Sequence, residues 1–344
     1  MTRLLTAIAA VTLTAPALHA DEIRVLNWQG YGTDLEWAVE AYEEATGNTV
    51  VHEYFNSEQE TLTKMRTNIG AYDVVLINSS FTPQVVAEGL LDPIDTSKLK
   101  NFSNLDPAFV GNAGLNGEGE LYGVPWAWGM TSIAVSNADF DDMPTSLSVL
   151  WDPKWEGRVS IRDDAVEAVQ IGALATGQNI NDVQDLEAVR SKLTDLMPSI
   201  STYWGSENDW NQNMASGSFA AATYWSGSAA RSIGKGLDIT FVVPDEGAIG
   251  WLDGLSVPKD SANKDAAYSF IDWMIDPEFY VGWDKEGAPG SANTAATAAL
   301  PDDSFNKAIL KDPTLTTKVQ FMQPLADEKR EEFLKLWQDL KAAQ

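Results

Sequence analysis

Asp163-Asp164-Ala165-Val166-Glu167 and, further along, Trp251-Leu252-Asp253 bring acids and indoles together where the pattern reads as loop ends rather than solvated helix faces. A carboxylate gives charge-assisted hydrogen bonds to an ammonium group. An indole face holds methylenes and adds cation–π attraction of about 0.5–2 kcal/mol. Together they suit a small organic cation. Trp251 and Asp253 alternate along an apolar strand, so both side chains point to one face. The plainer alternative is a packed Trp beside a solvent-exposed Asp at a strand end. Asp164 and Glu167 lie three apart ahead of an apolar-periodic segment. That is also a helix-capping arrangement, with Asp164 as N-cap and Glu167 at N3. One carboxylate can serve both roles, since it has several acceptor sites. Trp225 opens Trp-Ser-Gly-Ser, where small residues allow close backbone approach. Trp28 and Tyr31 follow the first strand, and open α/β sheets bind ligands at the carboxyl ends of their strands. Trp225 and Trp28 read equally as core residues, because Trp is highly buried on average.

Other chemistries find little support. His19 and His52 are the only histidines and there is no cysteine. That argues against Ser–His catalysis, excludes Cys–His pairs, and leaves no metal site built from several His or Cys ligands. Ferric ion would want several Tyr or His, which these motifs lack. Paired carboxylates with Trp platforms could serve glycoside hydrolysis, but nothing else supports it. No glycine-rich phosphate loop is present. The expectation is a binding protein, not an enzyme, with no cofactor. The net charge of −27 argues against nucleic acid and against anionic membrane surfaces. It says little about the ligand, because acidity on this scale serves solubility. Near the motifs the cations are Arg24, Arg162 and Arg231, each outnumbered by acids, which disfavours an anionic ligand.

The elements that must position these residues alternate. Residues 1–20 read as a signal peptide: Arg3, an apolar run from Leu4 to Leu18, and Ala20 before cleavage. An exported chain without disulfides fits a bacterial periplasm. The remainder is too long for one small core, so two domains are expected. Ile23–Asn27, Thr49–Phe55 and Tyr72–Ile77 read as strands. Between the first two, Leu35, Ala38, Val39 and Tyr42 mark a helix closed by Gly47. Thr61, Met65 and their neighbours form the next helix. Repeated βαβ units mean an α/β fold. Ser132–Val135, Gly157–Ile161, Asp238–Pro244 and Trp251–Pro258 read as further strands, with helices at Val183–Leu196, Asp265–Ile275 and Asp327–Ala343. The last is expected to carry Phe333, Leu334 and Trp337 on one stripe.

The chain resembles the periplasmic spermidine/putrescine-binding proteins of ABC importers over essentially its whole mature length. The matching pieces are Leu26-Asn27-Trp28-Gln29-Gly30-Tyr31, Ala71-Tyr72-Asp73-Val74-Val75 and the run from Lys98 to Pro107. They continue with Val124-Pro125-Trp126-Ala127-Trp128-Gly129, the acid motif at Asp163–Glu167, Trp225-Ser226-Gly227-Ser228-Ala229 and Gly250-Trp251-Leu252-Asp253. The resemblance implies an α/β two-lobed periplasmic binding protein fold of type II, with ligand in the cleft between lobes. Residues 21–128 and 251–297 would form lobe 1; residues 129–250 and 298–344 would form lobe 2, with crossings near Gly129–Ser132 and Ile249–Asp253. It implies a monomeric receptor that captures putrescine or spermidine and delivers it to an ABC permease in the inner membrane. A quaternary ammonium compound or thiamine is the alternative ligand. The implied site takes Trp28, Tyr31, Ser80, Asp164 and Glu167 from the first half. Trp225, Trp251, Asp253 and Gln323 complete it. The chain departs from the family pattern in several places. Gln29 replaces a small hydroxyl residue, and Asn78-Ser79-Ser80-Phe81 replaces a stretch that brings a Tyr to the cleft. Ser228 stands in place of Asp, and Ala288 in place of Tyr. These leave the particular amine more open than the class.

Overall fold

The computed structural model describes residues 21–311 and 317–343. The expected signal peptide lies outside the described residues. The first half opens as the apolar patterning dictates. Strands β1 (Glu22–Trp28), β2 (Thr49–Phe55) and β3 (Val74–Asn78) are parallel, with β1 in the middle. Helices Glu36–Thr46 and Glu58–Thr67 connect them. All five residues of β3 are buried, as expected of a strand covered on both faces. The first helix stops at Gly47, whose φ of +77° suits the left-handed position that ends helices.

Among the described residues, seven further strands join the same sheet. They are β4 (Val124–Ser136), β5 (Val159–Ser160), β6 (Ala221–Trp225), β7 (Ile239–Val242), β8 (Ala248–Ser256), β9 (Gly290–Ser291) and β10 (Val319–Phe321). The path runs β2-β1-β3-β8-β4-β6-β5, with β7 and β9 also on β4 and β10 on β8. The strand expected at Ser132–Val135 is thus only the far end of β4. Its first half pairs antiparallel with β8, and its second half pairs with β6 and β7.

Two large apolar cores flank this seam. One gathers residues from Ile23 to Ala127 and from Leu255 to Leu300. The other gathers Ile133 to Ala221, Ile249, and Phe333 to Leu340. A small cluster of Leu115, Trp128, Met130, Ala248 and Leu252 lies on the seam itself. Strands β4 and β8 therefore contribute to both halves. The C-terminal helix, Asp327–Ala342, corrects one expectation. It buries Phe333, Leu336, Trp337 and Leu340, whereas Leu334 is 46% exposed. A stripe of period 3.6 that includes 333 and 337 passes through 336 and 340 and leaves 334 on the flank.

One glycine in the seam is there for space. A Cβ at Gly129 would come 2.3 Å from Cζ2 of Trp251 and 2.7 Å from Oγ of Ser226. Trp251 sits opposite Gly129 in the β4–β8 register, so the indole lies across the strand where a side chain would otherwise stand.

Candidate functional site

Asp253 is the node of the site. It faces Asn78 across the β3–β8 pairing, and a bulge follows it between residues 253 and 254. Bulges re-aim side chains, and the Asp253 carboxylate is almost wholly buried, at 7% exposure. Asn78 Nδ2 donates to its Oδ1 at 2.8 Å and Tyr31 Oη donates to its Oδ2 at 2.9 Å. Ser80 orients Asn78, donating to Asn78 Oδ1 from its N–H at 3.0 Å and its hydroxyl at 2.7 Å. The Tyr31 ring stands edge-on to Trp126 and Trp283 at 5.7 and 5.8 Å. All the donors to Asp253 are neutral. Burial therefore pushes its carboxyl up to about 6, although the two hydrogen bonds pull the other way.

A second acid belongs to this node, and sequence reading missed it. Glu58 is the first residue of its helix, behind the N-cap Ser57. There it reads as an ordinary first-turn acid favoured by the helix dipole. In the structure its Oε2 is buried with no hydrogen-bond partner. Burial, and next the charge of Asp253, push it up to about 8, while the Asn78 backbone N–H and Arg162 pull it down. No spacing in the sequence announces this, because Glu58 reaches Asn78 and the field of Asp253 only once β3 pairs with β8.

The other half of the acid set sits on the far side of the seam. Asp164 is the N-cap of the Ala165–Ala175 helix and accepts from the Glu167 N–H at 2.9 Å. The capping reading of Asp164 is therefore correct, but the box is only half made. The Asp164 N–H donates to Arg162 O instead of to Glu167, which leaves the Glu167 carboxylate without a capping role. That carboxylate is buried at 8% exposure. Thr131 Oγ1 donates to its Oε2 at 3.5 Å, and Oε1 has no partner. Burial raises it to about 7, against the pull of Arg162. Arg162 Nη1 lies 3.6 Å from Glu167 Oε2 and 4.0 Å from Asp164 Oδ2. Its guanidinium stacks 4.8 Å from the ring centre of Trp225.

The structure thus brings Tyr31, Ser80 and Asp253 into one hydrogen-bonded group, and Asp164, Glu167 and Trp225 into another around Arg162. The electrostatic influence of both Asp253 and Arg162 on Glu58 links the two groups. Trp251 is half-buried beside the seam, with an indole N–H that has no partner. Trp28 packs edge-on against the core residue Phe55 at 4.6 Å, which fits its plainer reading. Gln323 is exposed, and its backbone N–H donates to Asn181 Oδ1 at 2.9 Å. The acid missing at position 228 has a neighbour in its stead. Ser228 Oγ donates to Glu207 Oε2 at 2.6 Å, and Arg231 pairs with the same carboxylate at 2.5 Å. Ala288 is fully buried.

The arrangement offers carboxylate acceptors beside indole faces and no nucleophile–base pair. Among the described residues no group of three acids, His or Cys could hold a metal. A separate surface hollow of about 300 Å³ is lined by Leu174, Gln178, Glu246 and Gln320. With a single carboxylate and no aromatic wall, it lacks the chemistry of the acid set.

Comparison with known proteins identifies the family. Residues 37–317 match the family of bacterial extracellular solute-binding proteins. The spermidine/putrescine-binding periplasmic protein of Escherichia coli (strain K12) is 33% identical over 285 residues, 80% of each chain. The putrescine/cadaverine-binding protein of Pseudomonas aeruginosa is 25% identical over 362 residues, 99% of each chain. Among solved structures, the spermidine/putrescine ABC transporter substrate-binding protein PotD of Streptococcus pneumoniae superposes with a TM-score of 0.83. It is 24% identical and covers 94% of this chain and 99% of its own. That likeness shows the fold: two α/β lobes of the type II periplasmic binding class. The chain belongs to the bacterial extracellular solute-binding protein family, whose members bind a solute for an ABC transporter and are not enzymes.

Proposed function

We propose that the protein is a periplasmic receptor that captures a polyamine, putrescine or spermidine, and delivers it to an ABC permease in the inner membrane. The observation that carries this reading is a pair of buried carboxylate oxygens with no hydrogen-bond partner, Glu58 Oε2 and Glu167 Oε1, in an acid set flanked by Tyr31 and Trp225. Buried polar atoms in folded proteins are nearly always hydrogen-bonded. A primary ammonium supplies three N–H donors and a positive charge, and its methylenes suit indole faces. A quaternary ammonium ligand supplies the charge without the donors, so the bare acceptors disfavour it. The relatives named for polyamines support the same class.

In this reading residues 21–128 with 251–297, and 129–250 with 298–344, are the lobes that close on the amine. Tyr31, Ser80 and Asp253 serve the first lobe's end; Asp164, Glu167 and Trp225 serve the second's. Trp251 holds the alkyl chain between them, with Gln323 as an outer contact, while Trp28 packs on Phe55 behind the site. Titration calorimetry tests the class. Putrescine or spermidine is expected to bind saturably, and glycine betaine and neutral amino acids are expected to give no heat of binding. Binding of a neutral or anionic solute, with neither amine bound, would rule the reading out.

A further inference from the structure

The amine reading leaves Arg162 unexplained. Its guanidinium occupies the partners that a ligand ammonium would use at the second lobe. These are the Trp225 face at 4.8 Å, Glu167 Oε2 at 3.6 Å and Asp164 Oδ2 at 4.0 Å. The Arg162 side chain is only 27% exposed. Its backbone is fixed at the strand end, where its N–H donates to Thr223 Oγ1 at 3.3 Å and its chain bridges to Trp204. The first lobe's end is built differently. Asp253 is held by the uncharged donors Tyr31 and Asn78. Arg231, which lies near Tyr31, is tied to Glu207 and to the Gly287 carbonyl.

The two carboxylate oxygens left bare, Glu58 Oε2 and Glu167 Oε1, can take one ammonium each. A third ammonium would have to displace Arg162 from its indole and carboxylates, or sit against it as a like charge. Nor is Arg162 set to read a ligand carboxylate. It is already paired, and Asp164 and Glu167 beside it would repel an anion.

We propose that Arg162 is a specificity-determining residue: it holds the Trp225 face, Asp164 Oδ2 and Glu167 Oε2 as the protein's own cation, leaves only Glu167 Oε1 to the ligand on that lobe, and so selects diamines over triamines. This inference rests on the amine reading of the site. The test is calorimetry of the full protein and three variants against putrescine, spermidine and 4-aminobutyrate. Arg162→Met and Arg162→Gln remove the charge; Arg162→Lys keeps it. The unaltered protein is expected to prefer putrescine over spermidine by roughly tenfold or more, the scale of one cation–π contact with its ion pair. Either neutral variant is expected to abolish or reverse that preference by gaining affinity for spermidine, and the Lys variant to keep it. An unchanged spermidine-to-putrescine ratio in the neutral variants overturns the inference and leaves the amine reading intact. Binding of 4-aminobutyrate that disappears with the guanidinium also overturns it, because Arg162 would then read a ligand carboxylate. If neither amine binds the unaltered protein, the amine reading fails first and this inference fails with it.

Discussion

Replacing Asp253 by Asn is expected to weaken amine binding by about two to three orders of magnitude while the protein still folds. Removing one partner of a buried, hydrogen-bonded ion pair costs on the order of 3–5 kcal/mol, because the other charge is left stranded. Each 1.4 kcal/mol or so is tenfold in affinity. Asp253 is the acid most isolated from other cations, since its protein partners are the neutral Tyr31 and Asn78. A ligand ammonium would be its only counter-charge among those contacts. The fold should survive, because the Asn oxygen can still accept from one of these donors. Burial already disfavours the carboxylate, holding it at about 6. The melting temperature of the free variant should therefore match or exceed that of the parent. Titration of both proteins with putrescine checks the first half, and a thermal melt checks the second. A variant that binds amines as tightly as its parent would remove Asp253 from the site and return Trp251 and Asp253 to the reading of packed Trp and strand-end Asp.

Amine affinity should also climb by about a hundredfold or more between pH 5 and pH 8. Three acids of the site are raised in the free protein: Asp253 to about 6, Glu167 to about 7 and Glu58 to about 8. At pH 5 all three hold protons for most of the time, and a cation gains little from a neutral carboxyl. Each proton that must leave on binding changes the affinity by up to tenfold per pH unit. Two consequences separate this from simple surface attraction. Binding near pH 7 should release protons, seen as a heat that depends on the ionisation enthalpy of the buffer. The stability of the free protein should run the opposite way. The folded values lie above the unfolded ones, so the folded state holds more protons between about pH 4 and pH 8. The stabilising effect of those protons is complete below the unfolded values and is lost as pH rises through 6, 7 and 8. Free protein should thus melt lower at pH 8 than at pH 5, and saturating amine should restore it. A pH-independent affinity with no proton release would mean that these carboxylates stay ionised and do not meet the ligand.

Much of this arrangement could be read before the structure. Strand β2 keeps the bounds Thr49–Phe55 that its alternation suggested. Gly47 ends its helix. Asp164 caps the helix as its spacing with Glu167 implied. What stayed hidden depends on contacts distant in sequence. Glu58 reads as a helix-start acid, because its meeting with Asn78 and Asp253 is a product of sheet order. The first half of β4 was obscured by Pro125 and Gly129, both poor strand residues. Pro125 lies where the β4–β8 register shifts, and Gly129 gives way to the Trp251 indole. In the sequence Arg162 reads only as a cation outnumbered by acids. Its stacking on Trp225 needs β6 and the strand end before the Ala165–Ala175 helix to lie side by side.

The most direct test of the site is a crystal structure of the protein with putrescine bound. The expected result has one ammonium within hydrogen-bonding distance of both the Asp253 and Glu58 carboxylates. The methylenes should lie along Trp251, and Arg162 should remain stacked on Trp225. A diamine bound away from Asp253, Glu58 and Glu167 would contradict the proposed site.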